Sequence, residues 1–212
     1  MSNTLQLLET SLIEGRGPIV RDLTSTALEE GISAADILQK SLMLGMDEVG
    51  RRMGSGEFYI PDVLIAARSM DMALEVLRPL LAEGGAAQPG TAVIGTVKGD
   101  LHDIGKNLVG MMLQGANFEV VDLGTDVSAD QFVAAVREHE ADLICISALL
   151  TTTMVEMKGT VEALLEAGLR DRVRVMVGGA PVTQAYASAV GADGYARDAG
   201  GAVVVARELL ST

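Results

Sequence analysis

Thr91-Ala92-Val93-Ile94-Gly95-Thr96-Val97 runs directly into Lys98-Gly99-Asp100-Leu101-His102-Asp103-Ile104-Gly105-Lys106-Asn107. The first seven residues are apolar and β-branched, without the three-and-four spacing of an amphipathic helix, and read as a buried strand. A polar loop follows, then a helix from about Gly105 to Gly115. The same rhythm repeats downstream. Further strands are expected over residues 118–123, 143–147, 173–177 and 194–196, with helices over 128–139, 152–167 and from Ala199 onward. No helix is read between the last two strands. Strands alternating with helices predict an α/β fold: a five-stranded parallel sheet of the Rossmann-like (flavodoxin-like) kind, covered on both faces. Ligands in such folds sit beyond the carboxyl ends of the strands, so the loops after strands one, three and four should hold the site.

Upstream the pattern is helical. Residues 5–13 form one expected helix, and Pro18 opens a second that Gly31 closes. Ser33 can cap a third, in which Leu38, Leu42, Met46, Val49 and Met53 recur at steps of three and four; Gly54 and Gly56 end it. Pro61 starts the fourth, with Leu64, Ala67, Met70, Leu77 and Leu80 expected on one face. This predicts an N-terminal four-helix bundle over residues 1–83. Gly84-Gly85-Ala86-Ala87-Gln88-Pro89-Gly90 has no periodicity and reads as a linker over 84–90, leaving 91–212 for the sheet domain.

Composition narrows the function classes. Hydrophobic residues make up 49% and charged residues 21% of the 212, enough for packed cores. No apolar run approaches the roughly 18 residues of a membrane-spanning helix. The net charge of −13 is spread over both halves and no basic stripe exists, so neither nucleic acid nor a membrane is an expected partner. The start of the chain lacks a secretory signal, and the single cysteine, Cys145, lies in an apolar run, so a cytoplasmic protein with a buried thiol is expected.

The loop after strand one is not a phosphate-binding P-loop. Five residues separate Gly99 from Gly105-Lys106 where that motif has four, and Asn107 replaces its Ser or Thr. What remains is a histidine between two aspartates. Asp100 could hold one ring nitrogen of His102 and leave the other for a metal. Zinc would need three or four protein ligands, and the chain offers only His139 and Cys145 besides. A metal held by one protein ligand implies a macrocycle filling its other positions; alternatively, His102 merely caps the following helix. Ser147-Ala148-Leu149-Leu150-Thr151-Thr152-Thr153 after strand three and Gly178-Gly179 after strand four would make a slot lined by hydroxyls and backbone.

Asp100-x-His102-x-x-Gly105, then Ser147-x-Leu149, then Gly178-Gly179 resemble the cobalamin-binding signature of methionine synthase and of the corrinoid proteins of methyltransferase systems. Met46-Asp47-Glu48-Val49-Gly50 through Gly56-Glu57-Phe58-Tyr59-Ile60-Pro61 resembles the helical cap domain that precedes the cobalamin domain in that family. The resemblance implies a stand-alone corrinoid carrier with a helical cap and no catalytic residue of its own. His102 would be the lower axial ligand of a base-off cobalamin, with Asp100 and then Thr153 behind it. Gly99, Leu101, Asp103, Ile104 and Gly105 would complete the binding loop. Ser147, Leu149, Thr151, Gly178 and Gly179 would line the pocket for the nucleotide tail, with Tyr195 and Ala196 near it. Tyr59 would cover the methyl face, although Phe58 and Tyr59 could also simply staple two helices.

By the same resemblance, cob(I)alamin would accept a methyl group and methylcobalamin would deliver it. A donor-specific methyltransferase, an acceptor methyltransferase working toward tetrahydrofolate, and a reductive activase would be the partners. Methyl-ether O-demethylation is the expected donor chemistry, with methylamine, methanol or a quaternary amine as the other donors. A cobalamin-binding sensor is the alternative. A mutase subunit fits less well, since it would resemble the sheet domain alone.

Overall fold

The computed structural model describes residues 2–83 and 89–211, so residues 84–88 of the expected linker lie outside the described residues. The chain divides into two compact units, residues 1–87 and 88–212.

The first unit is helical. Helix α1 (Asn3–Ile13) is capped by the Ser2 hydroxyl, and α2 (Gly17–Glu29) begins with Pro18 in its first turn. Next comes α3 (Ala34–Ile37), capped by Ser33, which passes through a π-helical turn (Leu38–Leu42) into α4 (Met43–Ser55) without a break. The π turn absorbs an extra residue while Leu38, Leu42 and Met46 stay buried. It also places the Ser41 hydroxyl inward, where it donates to the Leu5 carbonyl of α1 at 2.8 Å. Gly56, at φ +79, ends α4 in the left-handed conformation that favours glycine.

Helix α5 (Ile60–Glu83) buries Val63, Ala66, Ala67, Met70, Ala73, Leu74 and Leu77. The expected face was partly misplaced: Leu80 is exposed and Leu64 only half-buried, while Val63, Ala66, Ala73 and Leu74 turn inward in a helix that packs chiefly against α2. A four-rod bundle results, with α3, the π turn and α4 as one rod.

The second unit is the parallel α/β sheet. Its strands are β1 (Thr91–Thr96), β2 (Glu119–Asp122), β3 (Leu143–Ser147), β4 (Arg174–Gly178) and β5 (Gly194–Ala196), in the order β2-β1-β3-β4-β5, every pair parallel. Helices α6 (Ile104–Gly115) and α10 (Ala199–Leu210) pack against each other, as do α7 (Ala129–Glu138) and α8 (Val155–Glu166). Ser128 and Gln131 form a capping box at the start of α7. The central strands are buried on both sides, and Phe132, Ile144, Ile146, Val175 and Val177 anchor one core. Gly95 faces that core, where a Cβ would stand 2.8 Å from the Phe132 ring.

One element was not expected. Helix α9 (Gln184–Ala189) lies between β4 and β5, started by the Thr183 hydroxyl. Six residues with only Ala187 buried carry too little apolar periodicity to read as a helix.

Among the described residues, no helix is long and apolar enough to cross a membrane.

Candidate functional site

The chain leaves β1 for β2 on one side, and later places β3 on the other side of β1. The tips of β1 and β3 therefore flank the point where the strand order reverses, which is where open α/β sheets take ligands. The loop between β1 and α6 carries Gly99 to Asp103, and the loop between β3 and α8 carries Ala148 to Met154.

Asp100 joins these two loops. Its side chain is wholly buried, yet all its oxygen capacity is used. Oδ2 accepts from the backbone N–H groups of Leu149 at 2.8 Å and Leu150 at 3.1 Å, and from the Thr153 hydroxyl at 2.7 Å. Oδ1 accepts from the His102 backbone N–H at 3.1 Å and lies 2.7 Å from His102 Nδ1. Burial alone would push this carboxyl up. The His102 ring, the Leu149 amide, the Thr153 hydroxyl and the His102 amide outweigh it and hold the group well below the usual carboxylate range. An ionised carboxylate can only accept, so Nδ1 carries a proton, and in the neutral ring Nε2 is the nitrogen left with a lone pair.

His102 does not cap α6. Asp103 occupies the N-cap position, the His102 ring turns to Asp100, and the His102 carbonyl accepts from the buried Thr96 hydroxyl at 2.8 Å. Its side chain is 49% exposed. The two loops and the first residue of α6 carry Leu101, Leu149, Leu150 and Ile104, all exposed apolar side chains. Such side chains on the loops that hold a half-exposed imidazole suit an apolar partner that offers a metal. Among the described residues, no group of three or more His, Cys, Asp or Glu is placed to hold a metal ion. A metal at His102 would have to bring its remaining ligands with it. His139 stays on the surface at the end of α7.

The glycine pair after β4 has a more local reason than expected. Gly179 has φ +129, and a Cβ there would meet the Ala148 carbonyl oxygen at 1.9 Å. A Cβ on Gly178 would stand 3.1 Å from the Ala196 carbonyl oxygen. The protein's own backbone therefore excludes a side chain at Gly179 before any ligand does. Ser147, Gly178 and Ala196 lie side by side across the tips of β3, β4 and β5, in register. Thr151 is exposed in the β3–α8 loop, and Gly105 is exposed with open space where a Cβ would be. Tyr195 is half-buried and packs against the sheet core, and Asp198 caps α10 by accepting from Gly201 N–H at 2.8 Å.

Sequence reasoning missed Thr96, Leu150 and Asp126. Thr96 sits inside the strand pattern, where a hydroxyl looks like ordinary β-branched filling. Leu150 follows a strand end, and an apolar pair exposed there was the available signal. Asp126 holds the Gly99 amide at 2.7 Å from a loop 27 residues away, and no local pattern announces it. In the helical unit, Tyr59 is 70% exposed, so it does not staple helices within that unit; Arg52 stacks over Phe58 at 5.1 Å from the ring centroid.

A parallel sheet of this order, with a carboxylate-held histidine and exposed apolar side chains on the loops at its switch point, defines a binding domain for a large metal-bearing macrocycle. Comparison with known proteins agrees. Residues 90–204 match the B12 binding domain family, and residues 4–78 match a second B12 binding domain family. The chain is 43% identical to a corrinoid protein of Desulfitobacterium hafniense, covering 97% of each chain. It is 45% identical to the dimethylamine corrinoid protein of Methanosarcina barkeri, over 98% of this chain and 97% of that protein. The crystal structure of the methanol:cobalamin methyltransferase complex of Methanosarcina barkeri superposes with a TM-score of 0.83 at 31% identity, covering 99% of this chain and 80% of that one. The chain belongs to the B12-binding corrinoid proteins, and cobalamin is its cofactor.

Proposed function

We propose that this protein carries methyl groups on cobalamin for a methylamine-type methyltransferase system. The observation that carries the reading is the Asp100–His102 pair, which holds Nδ1 and leaves Nε2 available to a metal, with exposed apolar side chains on the same loops at the sheet tips. Bound cobalamin supplies the cobalt chemistry of methyl acceptance and release.

The residues of the chain do the rest. His102 would hold the cobalt through Nε2, and Asp100 keeps the proton on Nδ1 and so sets the tautomer and basicity of the ring. Thr153 would steady that carboxylate. Leu101, Ile104, Leu149 and Leu150 offer apolar surface to the corrin, while Gly99, Asp103 and Gly105 shape the loop. Ser147, Thr151, Gly178, Gly179 and Ala196 would line the groove for the nucleotide tail, its base displaced from the metal; Tyr195 would serve it from the core side. Tyr59 is assigned to the methyl face on the family resemblance.

The donor proposal departs from the methyl ether expected earlier. Close identity to a dimethylamine corrinoid protein over nearly the whole chain favours a methylamine. Likeness to a protein from a methyltransferase complex supports a donor methyltransferase as partner. An acceptor methyltransferase working toward tetrahydrofolate, a reductive activase and a cytoplasmic location complete the proposal.

The test is reconstitution with hydroxocobalamin. The wild type should give a base-off, histidine-ligated visible spectrum, and His102→Ala should lose the ligation while keeping much of the binding. An unchanged His102→Ala spectrum refutes the ligand assignment. Methyl transfer from dimethylamine, trimethylamine, methanol and a phenyl methyl ether, each with its own methyltransferase, then decides the donor.

A further inference from the structure

The loop between β2 and α7 lies alongside the His102 loop. Thr96 N–H donates to the Gly124 carbonyl at 3.0 Å, and Val127 N–H donates to the Thr96 carbonyl at 3.0 Å. Val127 also forms an isolated parallel bridge with Val97. Between these contacts sits Asp126, an L residue at φ +57, in the left-handed region that non-glycine residues seldom adopt. That conformation turns both its polar groups onto the His102 loop. Its backbone N–H donates to the Asp100 carbonyl at 3.1 Å, and its carboxylate Oδ1 accepts from the Gly99 N–H at 2.7 Å. Gly99 is itself left-handed, at φ +78.

Asp100 is thus gripped from two sides of the switch point. Leu149, Leu150 and Thr153 hold its side chain from the β3 side, while Asp126 holds its backbone from the β2 side. The first grip aims the carboxylate, and the second sets where the peptide that carries it lies. Backbone held in a sparsely populated region by surrounding bonds is a feature of pre-organised sites.

We infer that Asp126 is a positioning residue for the cobalt ligand: it clamps Gly99 and Asp100 so that His102 is presented at a fixed place. This rests on the reading of His102 as the axial ligand. Asp126 does not touch the imidazole and needs no contact with the cofactor. Its effect should appear in how fully histidine ligates, more than in how tightly the nucleotide tail binds.

Three substitutions separate clamp from strain. Asp126→Asn keeps an acceptor oxygen and a side chain that tolerates the left-handed region. Asp126→Gly removes the acceptor but relieves the strain, and Asp126→Ala removes the acceptor and keeps the strain. Each is compared with wild type by the visible spectrum of bound cobalamin and, without cofactor, by amide exchange at Gly99.

Asp126→Gly and Asp126→Ala should lower the ligated-to-unligated ratio about threefold to tenfold, the size of one ordinary solvent-exposed hydrogen bond. Both should speed Gly99 exchange. Asp126→Asn should stay near wild type in both readouts. If Asp126→Ala fails to fold, the glycine variant carries the test alone. Wild-type ligation and wild-type Gly99 exchange in the glycine variant overturn the inference. So does an asparagine variant that behaves like the glycine one. A wild-type spectrum identical to that of His102→Ala overturns the ligand reading and this inference with it, whereas a ligated wild type with indifferent Asp126 variants overturns this inference alone.

Discussion

Asp100 Oδ1 and His102 Nδ1 lie 2.7 Å apart, the aspartate side chain wholly buried and the histidine side chain half-exposed. One end of the imidazole is fixed to the protein interior and the other is offered outward. The pair is built from residues two apart in sequence, but the carboxylate is oriented by groups 49, 50 and 53 residues further on. The histidine is local and its support is not.

Asp100→Asn should disable ligation through the tautomer. An asparagine amide has one acceptor oxygen and one donor nitrogen. With the oxygen toward Leu149, Leu150 and Thr153, its NH2 faces Nδ1, which must then accept, leaving the proton on Nε2. The flipped amide instead opposes two backbone donors. The expected outcome is loss of the histidine-ligated spectrum near neutral pH. A lower melting temperature should accompany it, from a buried polar mismatch of about 1–3 kcal/mol.

The acid side of the stability curve should report the same carboxylate. Its folded value lies below the ordinary 3.8, so its stabilising contribution is complete above that value and fades as pH falls toward the folded one. The stability gap between apo wild type and Asp100→Asn should narrow as the pH falls below about 4. Urea melts on either side of that pH measure it. A gap that widens in acid contradicts the assignment.

Thr153→Val removes the hydroxyl that donates to Asp100 at 2.7 Å while preserving shape. It should cost about 1–2 kcal/mol in apo stability and lower the ligated fraction. Thr153→Ser should restore both. Equal loss in the serine variant would point to packing of the Thr153 methyl group instead.

Gly179→Ala should be the more damaging of the two glycine changes. Its Cβ would meet the Ala148 carbonyl oxygen at 1.9 Å from a backbone at φ +129, so the tips of β3 and β4 must separate. A loss of about 2–3 kcal/mol or more is expected, seen in thermal melts of the apo protein. Gly178→Ala, squeezed only to 3.1 Å against the Ala196 carbonyl oxygen, should keep most of that stability. A Gly178→Leu protein that folds should bind cobalamin more weakly.

Cys145 should be inert in the folded protein. Burial pushes its thiol up to about 12, and it is 4% exposed in β3. Reaction with a thiol reagent at pH 8 should be slow until denaturant is added, since thiolate is the reactive form. Rapid labelling of native protein would contradict its placement.

Much of this was legible in one dimension. The strand β3 and the start of α10 fall where periodicity put them, because short apolar runs and caps such as Ser33, Ser128 and Asp198 act within a few residues. Helix α9 was missed for the converse reason: with one buried residue its apolar signal is below what any period can show. The exposed Leu80 marks a second limit, since which side of α5 is buried depends on what packs there.

The sequence by itself determined the two-part rhythm of helices and then strands, the loop bearing Asp100 and His102, and the order of the glycine and hydroxyl motifs behind it. These are local properties of spacing and residue type. Only the tertiary structure decided that β3 lies beside β1, and so that Leu149, Leu150 and Thr153 reach Asp100. It alone set Asp126 against Gly99 and Gly179 against the Ala148 carbonyl. Strand order and register are settled by long crossovers and a shared core, and hydrogen bonds between distant loops exist only once that register is chosen.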